Sequence, residues 1–457
     1  MSTFFRNLPS LNELLDAPPL KQLIETANRQ TVVVSAKKFL SGLEAEVRSA
    51  TASVPVPNVR ELASQIARWI SEGQPPRPSP IINASGDILH PSLSSPPIAK
   101  EAIAAMQIAS AGYMQRAGQS GKAGDAAAIE ALLCELTGAE SAMVTNRGSS
   151  ALLLALHAFS ARGKIVVARG DLAESPRGER ISDIASAANA VLQEVGAANR
   201  TTLSDYEMGL QGGAGSLLFV RWANTDAPQP LGELADLARR KGLPLIVELG
   251  GAPLIELKQF GVNTPTIREA VNSHAELVTF TTDSLIGGPA CGVIVGKRQF
   301  VDALRSKSIF SCTAPNEIIL AGLLATLELY KEPSKALEVI PTLSLLSTSL
   351  ANLEFRAQRI AAQLKGSSIL ESVETAQDSS GLAGASTTSQ VIPTHCVKIL
   401  PKSAIRDSLP AKLLEGQPGV LTRSCKEYLC IDLRSVFPDQ DAKIVEAMEA
   451  LSAIDKQ

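Results

Sequence analysis

The chain has 457 residues, more than a single hydrophobic core usually serves, so two or three domains are expected. Its residues are 45% hydrophobic and 19% charged, as in ordinary globular proteins, and its net charge of -3 argues against a strongly electrostatic nucleic-acid binder. The N-terminus has no apolar signal-peptide core, and no apolar run approaches the roughly 18 residues of a membrane span. We therefore expect a cytoplasmic protein without membrane segments.

The first 75 residues predict an N-terminal helical domain. Apolar residues recur at spacings of three and four across residues 8–15, 32–47 and 59–70. This domain has eight Lys/Arg and seven Asp/Glu, and a balance of +1 is a poor match for a phosphate backbone. Residues 73–80 are rich in Pro and break any helix, so they mark the end of the domain.

Residues 81–330 alternate short apolar runs with helical patterns, which predicts a large α/β domain. Such alternation is typical of a mostly parallel sheet buried on both faces by helices. The predicted strands are residues 142–144, 165–168, 217–220, 245–247, 277–280 and 293–295, and the predicted helices are residues 151–160, 181–191, 231–241 and 315–330.

Residues 335–457 predict a small C-terminal α+β domain. The pattern gives helices over residues 336–364 and 439–454, with strands at 397–400, 419–423 and 428–433. Residues 367–390 are polar and are predicted to form a mobile loop.

Polar side chains follow three of the predicted strands. Asn146, Gly148, Ser149 and Ser150 join a strand to an apolar helix, where backbone N–H groups and hydroxyls can form an anion cup. The alternative is an ordinary strand-to-helix turn. Glu248 ends the strand 245–247, either as a functional acid or as a structural one.

The segment 281–289 follows another strand and contains Thr281, Asp283 and Ser284 before Gly287-Gly288-Pro289. The two glycines let the backbone turn sharply beside a ligand, or form an ordinary tight turn.

The chain resembles bacterial selenocysteine synthase, the L-seryl-tRNA(Sec) selenium transferase family of fold-type-I pyridoxal phosphate (PLP) enzymes. Residues 129–140 (Ile-Glu-Ala-Leu-Leu-Cys-Glu-Leu-Thr-Gly-Ala-Glu) are close to identical to the family's sequence in this segment. Further matches are residues 8–15, 82–90, 195–201, 205–207 and 431–434. The resemblance therefore covers nearly the whole chain and implies the PLP-dependent transferase fold type I.

The same resemblance implies PLP as cofactor, with Glu248 in the place of the acid that pairs with the pyridine nitrogen. Thr281 takes the place of a phosphate-binding serine, and Asp283 is kept. Ser284 stands where the family has its Schiff-base lysine, so covalent attachment of PLP is not expected because a hydroxyl cannot form an imine. Two arginines of the family fall at Ser311 and Ala314.

Three functions remain open from the sequence. The first is a catalytically degenerate selenocysteine synthase-like protein that keeps the family's homo-oligomer, a dimer or a ring of dimers. The second is an active transferase or lyase that holds PLP non-covalently or uses another ligand; Lys297 or a thiol such as Cys291 would then have to supply the missing group. The third is a true seryl-tRNA selenium transferase that binds tRNA.

Six cysteines are scattered along the chain without a C-x-x-C pair, and no metal-ligand spacing is visible. They are predicted to be reduced core thiols.

Overall fold

The computed structural model describes residues 9–26, 29–49, 58–73, 80–113, 124–172, 174–175, 178–221, 231–382 and 391–454. It divides the chain into two compact units, Met1–Pro80 and Ile81–Gln457. None of the helices within the described residues is long and apolar enough to cross a membrane.

The first unit is helical in its described residues. Its helices are Leu11–Asp16, Pro18–Thr26, Arg29–Ser49 and Val59–Gly73. The first begins at a capping box, in which the Ser10 hydroxyl accepts a bond from the Glu13 N–H and the Glu13 carboxylate accepts one from the Ser10 N–H at 2.7 Å. The helical prediction is confirmed for this unit, although residue 8 lies outside the described part.

The second unit contains two sheets. We number its strands β1 (Ile81–Ala84), β2 (Ser141–Thr145), β3 (Lys164–Ala168), β4 (Leu192–Val195), β5 (Ala214–Val220), β6 (Leu245–Glu248), β7 (Leu277–Thr281), β8 (Gly292–Gly296), β9 (Leu370–Gly381), β10 (Val391–Pro401), β11 (Gly419–Cys425) and β12 (Tyr428–Asp432). The larger sheet has the order β2-β8-β7-β6-β5-β3-β4, and the smaller has the order β1-β11-β12-β10-β9.

The α-helices of the second unit are Lys100–Ala111, Asp125–Thr137, Gly148–Ser160, Ile181–Ala187, Leu203–Gly209, Leu231–Lys241, Ile267–Asn272, Arg298–Arg305, Ser308–Thr313, Glu317–Leu329, Pro333–Val339, Pro341–Ser347, Leu350–Leu364, Leu409–Glu415 and Asp441–Ile454. Short 3₁₀ turns are Arg169–Leu172, Leu210–Gly212, Lys258–Phe260, Leu433–Ser435 and Pro438–Gln440.

The seven-stranded sheet is mostly parallel, as predicted. Strands β3 to β7 run parallel to one another, and β8 runs antiparallel to both β2 and β7. Helices cover both faces, because alternate residues of the buried strands belong to two separate apolar clusters. The predicted α/β class is confirmed.

Three predicted elements differ from the structure. The stretch predicted as a mobile loop at 367–390 contains β9, which pairs antiparallel with β10 over nearly its whole length; residues 383–390 lie outside the described part. Its polar sequence concealed a strand whose side chains are mostly exposed, and whose order comes from backbone pairing.

The predicted helix 181–191 ends at Ala187, and β4 follows. Asn189 adopts a left-handed backbone with a φ of 54°, which an α-helix cannot continue through. The predicted helix 336–364 is three helices, because Pro341 begins a new one and the Ser349 hydroxyl caps another.

Strand β1 was not predicted, and it joins the smaller sheet by parallel pairing with β11. The chain thus begins the second unit in the five-stranded sheet and returns there only after residue 369. The smaller sheet is covered on one face by the helices Leu350–Leu364, Leu409–Glu415 and Asp441–Ile454, which share its apolar cluster.

Candidate functional site

The predicted site residues lie at one edge of the seven-stranded sheet. Glu248 ends β6 and Thr281 ends the neighbouring parallel strand β7. Thr145 ends β2, and both Thr145 and Thr281 pair with Gly292 at the start of the antiparallel strand β8. The loops after β2, β6 and β7 therefore start side by side, at the edge where open α/β sheets bind ligands.

The helix Gly148–Ser160 begins directly over Thr281. A Cβ atom on Gly148 would stand 3.1 Å from the Thr281 Cβ, so glycine permits this close approach. The Arg147 carbonyl accepts the N–H groups of Ser150 and Ala151, which leaves those of Gly148 and Ser149 as the pair that the helix start can offer to an anion.

The side chains of this turn hold the turn itself. The Ser150 hydroxyl donates to the Asn146 side-chain oxygen at 2.7 Å, and the Asn146 N–H donates to the Thr313 carbonyl at 2.6 Å. The second bond places the segment containing Ser311 and Ala314 beside the helix start. The two positions where the family resemblance puts arginines therefore lie next to the predicted anion cup. Here they carry a hydroxyl group at Ser311 and a methyl group at Ala314.

Asp283 is buried and fixed by two hydroxyls. The Thr281 hydroxyl donates to one of its oxygens, and the Ser95 hydroxyl donates to the other at 2.8 Å. The Thr281 hydroxyl proton is therefore used in a hydrogen bond within the protein. Thr281 also lies against Gly148, so it connects the Asp283 carboxyl to the start of the helix.

Glu248 is 2% exposed, and both of its carboxyl oxygens are hydrogen-bonded within the protein. The Thr279 hydroxyl donates to Oε2 at 2.5 Å, and the Gly250 N–H donates to Oε1 at 2.7 Å. Burial raises the pKa of Glu248 to about 8, although the two hydrogen bonds oppose the rise. At neutral pH the carboxyl is therefore mostly protonated.

The loop from Thr282 to Pro289 has a rigid backbone. The Gly288 N–H donates to the Thr282 carbonyl at 2.9 Å, the Thr282 hydroxyl donates to the Pro289 carbonyl at 2.5 Å, and the buried Tyr330 hydroxyl donates to the Ile286 carbonyl at 2.8 Å. Gly287 has a φ of 67°, and a Cβ there would lie 2.3 Å from the Ile340 Cγ2. Only glycine fits this turn without strain.

Ser284 lies inside this loop and is 2% exposed, and its carbonyl accepts the Gly287 N–H at 3.0 Å. Lys297, the residue considered as a replacement amine, follows the C-terminal end of β8, whereas the loop at residues 281–289 precedes the N-terminal end of that strand. Five residues of strand at roughly 3.3 Å each separate the two ends. The Lys297 amine is also paired with Glu276 at 2.7 Å, so it does not take the place of the family lysine.

Two polar residues near this edge were missed from the sequence. Asp171 is buried, and one of its oxygens accepts the Val220 N–H at 3.1 Å at the end of β5. Burial raises its pKa to about 7, while the Val220 N–H and the Arg221 charge oppose the rise. The Arg221 N–H donates to the Glu248 carbonyl at 2.8 Å. Asp171 and Arg221 therefore both lie on the β5 side of the predicted acid. Lone residues at strand ends carry no spacing signal that could have revealed them.

The Cys291 thiol lies under the loop, with Sγ 3.0 Å from the Thr282 hydroxyl oxygen. Burial raises its pKa to about 12, so it is not a thiolate at neutral pH.

Comparison with known proteins assigns the family. The family model described as L-seryl-tRNA selenium transferase (SelA) matches residues 81–437. The chain belongs to the L-seryl-tRNA selenium transferase family. It is 35% identical to the L-seryl-tRNA(Sec) selenium transferase of Desulfovibrio desulfuricans over 82% of each chain. It is 31% identical to that of Hyphomonas neptunium over 99% of this chain and 100% of the relative.

Among solved structures, D-glucosaminate-6-phosphate ammonia-lyase superposes with a TM-score of 0.60 over 82% of this chain and 96% of that chain, at 18% identity. Together with the sheet order, this likeness confirms the PLP-dependent transferase fold.

PLP is the cofactor that membership of this selenium transferase family suggests, and the residues can be compared with its two ends. The N–H pair of Gly148 and Ser149 fits a phosphate group. The covalent end does not fit, because Ser284 offers a hydroxyl where an imine needs an amine.

Proposed function

We propose that this chain is a selenocysteine synthase-like protein that has lost Schiff-base chemistry at residue 284. The observation that supports the proposal is that Ser284 is buried within a loop whose backbone is held by hydrogen bonds. The loop is held by its own hydrogen bonds and by Tyr330, so serine occupies an ordered place in it. Removal of a covalent catalytic residue typically costs many orders of magnitude in rate.

Two further features support the loss of the family chemistry. Ser311 and Ala314 supply no charge beside the anion cup, at the positions where the resemblance puts two arginines. Lys297, the residue considered as a replacement amine, lies at the opposite end of β8 and is paired with Glu276.

The site that remains suits a phosphorylated ligand held without a covalent bond. The Gly148 and Ser149 N–H groups form its anion end. A helix of 13 residues begins there, and the dipole at its N-terminus favours negative charge. Non-covalently bound PLP is one such ligand; an active enzyme that uses PLP in this way is the separate, second interpretation of the sequence.

True selenium transfer to seryl-tRNA is the second candidate, because curated relatives with 29–35% identity carry that name. Binding of selenocysteine tRNA in a filter assay, with an elongator tRNA as control, tests it. We expect no preference for the selenocysteine tRNA, since the N-terminal 75 residues carry a balance of only +1.

We also propose a cytoplasmic homo-oligomer. The helix Lys100–Ala111 packs Met106 against Gly322 and turns Ile108 outward with 72% exposure, while Tyr113 beyond its end is fully exposed. Exposed apolar residues of this size commonly mark a protein interface. Light scattering should show that Ile108→Asp lowers the oligomer mass and that Phe355→Asp, at an equally exposed position on another helix, does not. An unchanged mass in Ile108→Asp would remove this helix from the interface.

The decisive experiment is titration with PLP followed by borohydride reduction and peptide mapping. Borohydride makes a Schiff base permanent, so a labelled peptide reports a lysine imine in the site. We expect no site label in the natural chain or in Ser284→Ala, and a label at residue 284 in Ser284→Lys. A specific reducible label in the natural chain would refute the proposal.

Non-covalent binding is measured in the same samples by equilibrium dialysis. Inorganic phosphate should compete with PLP if the N–H pair of Gly148 and Ser149 holds the phosphate end. Loss of binding in Gly148→Val, with unchanged thermal unfolding, would locate the ligand at this helix start.

A further inference from the structure

Three of the six cysteines converge on the smaller sheet. Val397 and Ile431 point into the apolar cluster under the helices, so the alternating residues Cys396 and Cys430 lie on the opposite face. Cys425 of β11 reaches the same face. Cys396 and Cys430 are buried, and Cys425 is partly exposed. The cluster therefore has one side open to solvent.

An aspartate completes the group. The ligand atoms of Asp378, Cys425 and Cys430 all lie within 4.8 Å of one another, the one such grouping of metal-ligating side chains found among the described residues. The Cys396 Sγ lies outside this mutual grouping but is 3.9 Å from the Asp378 Oδ2, at the edge of the group.

Arg423 supplies a positive charge next to this group. Its NH1 donates to the Cys425 Sγ at 3.3 Å, and its NH2 lies 3.1 Å from Asp378 and 3.2 Å from Asp432. The guanidinium thus contacts both Cys425 and Asp378 and holds these two side chains beside each other.

Strand register disfavours disulfides among the three thiols. Cys425 pairs with Tyr428 and Cys430 pairs with Arg423, so Cys425 and Cys430 are diagonal neighbours; Cys396 and Cys430 are related in the same way. Diagonal positions are about 7–8 Å apart at Cα, whereas disulfides need about 4.4–6.8 Å. A tetrahedral metal ion with bonds of about 2.3 Å to sulfur separates two sulfurs by about 3.8 Å, which the two diagonal pairs accommodate, with Cys430 common to both.

We propose that Asp378, Cys396, Cys425 and Cys430 form a binding site for a thiophilic divalent ion, best matched by Zn²⁺. Zn²⁺ takes four ligands from thiolates and carboxylates in a tetrahedron and needs no redox chemistry. Binding releases the thiol protons to solvent, and Arg423 offsets part of the negative charge that the ligands then carry. The site is separate from the loop at residues 281–289 and does not depend on any activity there.

The test uses the full chain, purified with reductant, stripped with chelator and then titrated with Zn²⁺ against a chromophoric chelator. We expect one tightly bound Zn²⁺ per chain. Loss of a ligand in Cys425→Ser, Cys430→Ser or Asp378→Asn should weaken affinity by at least about 100-fold, more than loss of a mere supporting residue does. Cys312→Ser and Cys134→Ser serve as matched controls, since both residues lie outside the group, and should bind as the natural chain does.

Cobalt substitution counts the thiolates. Co²⁺ should give a thiolate-to-metal charge-transfer band and the visible bands of a tetrahedral site, and removal of one cysteine should lower the charge-transfer band by about one third. Cys425 is partly exposed, so Cys425→Ser tests the site even if Cys430→Ser fails to fold. Circular dichroism confirms that each variant is folded.

The proposal is overturned if the stripped, reduced chain binds no Zn²⁺ at micromolar concentration. It is equally overturned if Cys312→Ser removes the bound metal, or if the purified chain carries a disulfide between two of these cysteines.

Discussion

The loop at residues 281–289 and the polar face of the five-stranded sheet are built in opposite ways. The polar face is the one that carries Asp378, Cys396, Arg423, Cys430 and Asp432. In the loop, backbone groups, glycines and a tyrosine from a distant helix fix the shape. On the polar face, the side chains themselves hold the structure together. A site built from backbone tolerates loss of its reactive side chain, whereas a site built from side chains loses its structure with them.

Asp432 is the centre of the polar face. Its carboxyl is fully buried and accepts bonds from the Ser380 hydroxyl, the Thr394 hydroxyl, Arg423 and the Arg434 N–H, with the two hydroxyls at 2.6 Å. The Arg434 guanidinium turns away from it and donates to four backbone carbonyls. Asp432 and Arg434 belong to the segment 431–434 that resembles the family, and the bonds that they make here hold the fold together.

The largest expected effect is on this polar face. Asp432→Asn keeps the shape but removes the charge beside Arg423, so we expect a loss of about 3–5 kcal/mol in the free energy of unfolding. Urea unfolding measures it, with Asp439→Asn on the exposed turn nearby as the control. A loss below about 1 kcal/mol would show that this face does not depend on its buried charge.

A smaller effect is expected in the loop. Gly287→Ala must accept a φ of 67° and a Cβ within 2.3 Å of the Ile340 Cγ2, which together cost about 3 kcal/mol. Gly381→Ala is the control, because nothing lies within 4 Å of its added Cβ. In contrast, Ser284→Ala should change stability by less than about 1.5 kcal/mol. A larger loss in Ser284→Ala than in Gly287→Ala would contradict a loop held by its backbone.

The smallest effect is a change in pH dependence at Glu248. Its pKa is raised from 4.5 to about 8 in the folded chain, so the folded chain keeps a proton that the unfolded chain releases between those values. Stability therefore falls as pH rises from about 5 to 8. Glu248→Gln has no proton to lose, so its stability should fall less steeply than that of the natural chain over this window.

Thermal unfolding from pH 5 to pH 9 measures this difference. Asp171, with a pKa of about 7, gives a second contribution with the same sign, and Asp171→Asn separates the two. Parallel pH profiles for the natural chain and Glu248→Gln would show that Glu248 is ionised in the folded protein.

Much of the fold could be predicted because the apolar runs of β3, β5, β6 and β7 are short, β-branched and bounded by turn residues. Strand β9 could not be, since its exposed polar side chains carry no alternation and its order comes from a partner elsewhere in the chain. Strand β4 was hidden by the helical pattern before it, which Asn189 ends through a backbone conformation that the sequence does not display.

The candidate site shows the same division. Glu248 and the segment 281–289 were found because they follow strands of one parallel sheet, and parallel strands bring their ends together. The cluster of Asp378, Cys396, Cys425 and Cys430 was missed because antiparallel pairing, and not spacing along the chain, sets its geometry. For the same reason the six cysteines were predicted to be unrelated core thiols.

The bracing of the loop around Ser284 also bears on how activity is gained and lost in evolution. Because the turn keeps its shape without the lysine, selection for a stable fold does not act against loss of that residue. Under the proposed loss of Schiff-base chemistry, whole-chain likeness to relatives named as selenium transferases persists, and the identity of one buried side chain separates the two kinds of protein. Classification of relatives in this family should therefore begin with the residue that occupies this position.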